Sequence, residues 1–141
     1  MKDTCPDRVP SPSYLWMRNE MTNDGKSAVA VIDDDQAVLD SLRFLLELAG
    51  HRVRTYGSAA AFLEDRAVGH ACLILDHHMP QMTGLALAAR LRGEGDMLPV
   101  LLITGSPSAA IVAKAAELGV ERVLEKPPSE KDLLSFAGAH G

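Results

Sequence analysis

The sequence predicts an α/β domain in which five parallel strands, in the order 2-1-3-4-5, are doubly wound by five helices. Three observations carry that prediction. Three short runs, Ala28-Val-Ala-Val-Ile32, Ala71-Cys-Leu-Ile-Leu75 and Pro99-Val-Leu-Leu-Ile103, are wholly apolar, as expected of strands covered on both faces. Segments between them repeat their apolar residues at three- and four-residue spacing, the period of a helix packed on one side. The connections are short, and strands joined through a helix by short connections run parallel with right-handed crossovers.

Each element follows in order. The first strand, 28–32, ends in Asp33-Asp34-Asp35; Val38, Leu42, Leu45, Leu46 and Ala49 then mark a helix stopped by Gly50. Asp35 stands where the cap of that helix belongs. Arg52-Val-Arg-Thr-Tyr56 alternates like a strand nearer an edge, and Ser58 can cap a short helix through Arg66. The second apolar run ends at Asp76, and a helix with Leu85, Leu87, Ala88 and Leu91 follows Pro80 and Gly84. The third ends at Thr104-Gly105-Ser106, before an Ala-rich helix over 108–118 closed by Gly119. Val120 to Leu124 makes the fifth strand, ahead of Glu125-Lys126-Pro127-Pro128, and a short last helix is expected over 129–137. This is the flavodoxin-like arrangement, and it places a ligand site beyond the carboxyl ends of the strands, where strands 1 and 3 part.

Residues 1–26 differ. They hold three prolines, no apolar period, and four basic against four acidic residues, and read as a disordered tail. Tyr14-Leu-Trp16-Met is a possible docking patch within it, and Met17 or Met21 are alternative translation starts. The formal charge of −5 therefore belongs to 27–141, with ten basic and fifteen acidic residues. Hydrophobic residues make up 47% and aromatics 4%, so the core must be aliphatic. No basic stripe suggests nucleic acid, no apolar run approaches the roughly 20 residues of a membrane span, and no leader pattern opens the chain. Two cysteines, Cys5 and Cys72, make no disulfide framework. A cytoplasmic domain is expected.

The predicted topology gathers Asp33 and Asp34, Asp76, Thr104 and Lys126 on one rim. Singly, an Asp at a strand end is commonly a helix cap, Thr104 a turn former and Lys126 a surface lysine. Together they have a chemical logic. Clustered carboxylates require a neutralising cation, and Mg²⁺ takes a few carboxylates plus waters and a phosphate oxygen. A lysine and a hydroxyl opposite them suit a phosphoryl group, and an Asp between metal and lysine is a plausible nucleophile. The residues specify phosphoryl transfer to Asp76.

At this point the sequence resembles the receiver domains of two-component response regulators, from about Ala28 to Phe136. The resemblance rests on Val31-Ile-Asp-Asp-Asp35, Leu73-Ile-Leu-Asp-His-His-Met-Pro80 with Thr83-Gly84, Leu102-Ile-Thr-Gly105 and Leu124-Glu-Lys-Pro127. The wording is most similar to receivers that precede a LuxR-type module, as in nitrogen-fixation regulators. The resemblance implies Asp76 as phosphoacceptor, Mg²⁺ held by Asp34 directly, by Asp33 through water, by Asp76 and by the His78 carbonyl, Thr104 as switch hydroxyl, and Lys126 pairing with the phosphoryl group. It further implies a cis peptide bond between Lys126 and Pro127. The phosphodonor would be the phosphohistidine of a sensor kinase or of a histidine phosphotransfer protein.

Three features depart from the family pattern. Val123 stands where an aromatic switch residue is usual, so coupling to Thr104 must be weaker or differently built. Asp76 is followed by an unusual pair, His77-His78, with His77 expected to pack or face solvent and the His78 side chain to affect acyl-phosphate lifetime modestly. The last helix is short and the chain stops at Gly141, which suggests a stand-alone receiver, a monomer or weak dimer acting on an unknown downstream protein. The expected function is a phosphorylation-switched interaction module, self-catalysed rather than an enzyme on a separate substrate. The alternative is a relay intermediate or phosphate sink. A haloacid-dehalogenase-like phosphatase would need a second Asp where His78 stands.

Overall fold

A computed structural model describes residues 27–141. The N-terminal tail assigned to 1–26, with Cys5, the Tyr14–Met17 patch and the alternative starts, lies outside the described residues. The sheet contains β1 (Ala28–Ile32), β2 (Val53–Tyr56), β3 (His70–Asp76), β4 (Val100–Thr104) and β5 (Arg122–Glu125), all parallel, in the order β2-β1-β3-β4-β5. Five helices connect and close it: α1 (Gln36–Leu48), α2 (Ala59–Glu64), α3 (Gly84–Gly93), α4 (Ala109–Glu117) and α5 (Glu130–His140). A 3₁₀ turn, Arg66–Val68, follows α2.

Alternation along the strands divides the interior in two. Val29, Val31, Cys72, Ile74, Leu101 and Ile103 face α1 and α5, where Leu39, Leu42, Leu46, Leu133 and Phe136 meet them. Ala30, Ile32, Leu73, Leu75, Val100 and Leu102 face the other three helices, against Phe62, Leu87, Leu91 and Ala115. Both faces of the central strands are dry, which is why those runs contain no polar residue.

Each helix starts on an oxygen from its predicted neighbourhood. The side chains of Asp35, Ser58, Thr83, Ser108 and Ser129 accept from the N–H groups of Ala37, Ala61, Ala86, Ile111 and Asp132, satisfying donors that have no partner in the helix. At the opposite end of the sheet Arg92 ties α3 to α4. Its guanidinium donates to the carbonyls of Leu118 (2.7 Å), Asp96 (2.9 Å) and Gly119 (3.3 Å).

Several boundaries differ from expectation. The last helix is not cut short: α5 runs to His140, because Gly138 keeps helical backbone and His140 is anchored on Glu121 at 2.8 Å. β5 begins at Arg122 rather than Val120, whose N–H instead closes the end of α4 on the Ala115 carbonyl (2.9 Å). β2 begins at Val53, and α2 ends at Glu64 before tightening into the 3₁₀ turn. The Lys126–Pro127 peptide bond is cis.

Candidate functional site

Strand register builds the site. Ile32 pairs with Leu75, Asp76 with Ile103 and Thr104 with Glu125, so β1, β3, β4 and β5 finish on one rim. Asp33 and Asp34 follow β1 directly, Asp76 and Thr104 are the last residues of their strands, and Lys126 follows β5. Ligand oxygens of Asp33, Asp34 and Asp76 lie within 4.8 Å of one another. Asp33, Asp76 and Thr104 are buried, while Asp34 is exposed.

Electrostatics distinguish the three carboxylates. Asp33 Oδ1 accepts the Asp35 N–H at 2.9 Å. Burial, reinforced by the charges of Asp76 and Asp34, pushes Asp33 up to about 6, against the opposing pull of that N–H and of Lys126. Lys126 Nζ sits 2.7 Å from Asp76 Oδ1, and this pairing holds the ammonium above its ordinary value. Asp76 Oδ1 is otherwise buried without an aligned hydrogen-bond donor. Two buried carboxylates served by one lysine leave negative charge uncompensated in a set of hard oxygen donors. That donor set fits Mg²⁺.

The loop after β3 completes the surroundings. Gly84 lets α3 begin against the backbone at Asp76: a Cβ there would lie 2.8 Å from the Asp76 carbonyl oxygen and 2.6 Å from Leu102 Cδ1. His77 is half-buried, with Nδ1 accepting the Leu85 N–H at 3.4 Å. His78 is exposed, yet its Nε2 lies 3.1 Å from the buried Thr104 Oγ1, which also accepts the Ser106 N–H at 3.2 Å. That side-chain contact joins residues 26 apart, and nothing in the local sequence signals it. Val123, half-buried on β5, packs into the α2–α4 side of the core.

A profile of the response regulator receiver domain matches residues 29–137. The chain belongs to that family. Phosphorylation on an aspartate is the mechanism of these receivers, and in two-component systems the phosphoryl group comes from histidine kinases. Among the receiver's relatives is the response regulator protein TmoT of Ectopseudomonas mendocina, 40% identical over 115 residues, covering 79% of this chain and 51% of TmoT. The transcriptional regulatory protein FixJ of Azorhizobium caulinodans is 41% identical over 112 residues, covering 79% of this chain and 53% of FixJ. The solved structure of the response regulator StyR superposes with a TM-score of 0.76 at 36% identity, over 82% of this chain and 59% of StyR. The receiver thus spans about half the length of the curated relatives it matches.

Proposed function

We propose that residues 27–141 form a receiver whose phosphoacceptor is Asp76 and whose phosphorylation switches its contacts with a downstream protein. The observation that carries this reading is the buried Asp76 carboxylate held 2.7 Å from Lys126, with Asp33 and Asp34 beside it. Asp76 attacks the phosphorus of a phosphohistidine, the P–N bond breaks, and the imidazole leaves with its electron pair. The product is an acyl phosphate, and attack of water on its phosphorus returns the carboxylate and inorganic phosphate. Asp34, Asp33 through water, Asp76 and the His78 carbonyl would hold Mg²⁺, which supplies charge neutralisation for the transferring group. Lys126 offsets the negative charge gathered on the phosphoryl oxygens, and the Thr104 hydroxyl, at the end of β4 on the same rim, would donate to one of them.

The donor would be a sensor kinase or histidine phosphotransfer protein. A groove of about 640 Å³ between α1 and the β5–α5 loop, lined by Ala37, Val38, Ser41, Leu45, Pro127 and Pro128, opens beside Asp33 and Lys126. It offers such a protein an apolar seat next to the acceptor. The acidic balance gives nucleic acid no electrostatic footing, and among the described residues no helix is long and apolar enough to cross a membrane. The proposal places the receiver in the cytoplasm as a monomer or weak dimer, with no reaction beyond its own phosphorylation and dephosphorylation. It holds for the receiver unit, free or joined to a further module.

A relay or sink role is the second reading, favoured by the aliphatic Val123 on β5. Intact mass after incubation with acetyl phosphate and Mg²⁺ tests the first step. One phosphoryl adduct is expected, absent in Asp76→Asn; an adduct persisting in that variant removes Asp76 from the role. NMR of the phosphorylated receiver then separates the readings: changes extending beyond the acceptor into the β3–α3 loop, α4 or β5 indicate a switch, changes confined to the acidic cluster a relay.

A further inference from the structure

Thr104 Oγ1 has one proton to give and two lone pairs. The Ser106 N–H takes one lone pair at 3.2 Å. Among the described residues, the only side chain bonded to this hydroxyl is His78, whose Nε2 lies 3.1 Å away. Thr104 has no exposure to water, so its proton needs a protein acceptor, and a neutral imidazole protonated at Nδ1 offers one at Nε2. His78 itself is exposed, so its ring links the buried hydroxyl to the surface. Val123, on the neighbouring strand, has no polar atom with which to answer a movement of Thr104.

We propose that His78 is a positioning residue for the Thr104 hydroxyl. In the resting receiver its ring accepts the hydroxyl proton; once Asp76 is phosphorylated, a phosphoryl oxygen takes over that hydrogen bond and the ring is released. The hydroxyl keeps its proton throughout and only its direction changes. The response then passes from β4 into the β3–α3 loop that carries His78, rather than into β5 through Val123. This rests on Asp76 being the phosphoacceptor.

The test follows the His78 ring nitrogens by ¹⁵N NMR in the intact chain at alkaline pH. The Nε2 resonance of the resting protein should carry the shift of a hydrogen-bonded acceptor and should lose it in Thr104→Val. Adding acetyl phosphate and Mg²⁺ should move the wild-type resonance toward that of Thr104→Val, in step with the mass adduct. In parallel, His78→Leu removes the acceptor, and should accelerate phosphorylation by acetyl phosphate about fivefold, the worth of one ordinary hydrogen bond. His78→Gln, whose amide oxygen can accept, should return the rate to near wild type. A ring signal identical in the wild type and Thr104→Val, or equal rates for the Leu and Gln variants, overturns the proposal. An adduct that forms without moving the ring signal overturns it while leaving Asp76 as acceptor. No adduct at all overturns both.

Discussion

Asp33 is the carboxylate whose ionisation the fold opposes most, since it is buried between like charges and raised to about 6. In the unfolded chain the same group titrates near 3.8. The folded state therefore holds the proton more tightly, and this contribution to stability is complete below the unfolded value and lost as pH rises through about 6. A divalent cation held beside that carboxylate, directly or through a water, would favour its ionised form. Mg²⁺ affinity should accordingly climb as pH rises through 6 and level off above it, measured as the Mg²⁺-dependent rise in Tm well below and well above that value. An affinity indifferent to pH across this range would remove Asp33 from the cation site. At this scale the acidic rim was legible in the sequence, because Asp33, Asp34 and Asp76 each stand at the end of an apolar run. The His78 side chain was not, because its partner Thr104 comes from a different strand and is reached only through the fold.

Helix α3 begins with a residue chosen for absence of bulk. Gly84→Ala would place a methyl 2.6 Å from Leu102 Cδ1 and 2.8 Å from the Asp76 carbonyl oxygen, closer than atoms pack. Leu102 can turn aside but the β3 backbone cannot, so the variant should lose about 1–3 kcal/mol. A lower urea midpoint at unchanged slope would show it, and an unchanged midpoint would mean that α3 shifts freely. The strands that could be located from sequence were those with no polar residue, Ala28–Ile32 above all. β5 was harder because it is an edge: Arg122 and Glu125 interrupt its apolar pattern, and Val120 was already engaged in closing α4. The sequence ended α5 too early, because the contact that carries it to His140 is with Glu121, distant along the chain.

At the scale of the molecule, the sheet separates a side built from α1 and α5 from one built from α2, α3 and α4. The groove beside Asp33 and Lys126 lies on the first side, and Ala37 is an exposed part of its wall. Ala37→Arg should reduce transfer from a cognate phosphohistidine protein by about tenfold while leaving labelling by acetyl phosphate unchanged, since only the protein donor needs the seat. Loss of both activities would instead indicate damage to the site. The second side is fastened far from the rim, where Arg92 grips the carbonyls at the end of α4. A bar pinned at one end can swing but cannot slide. Any motion that reached α4 from the rim would therefore act as leverage about a fixed pivot, greatest at Ser108 and least at Leu118.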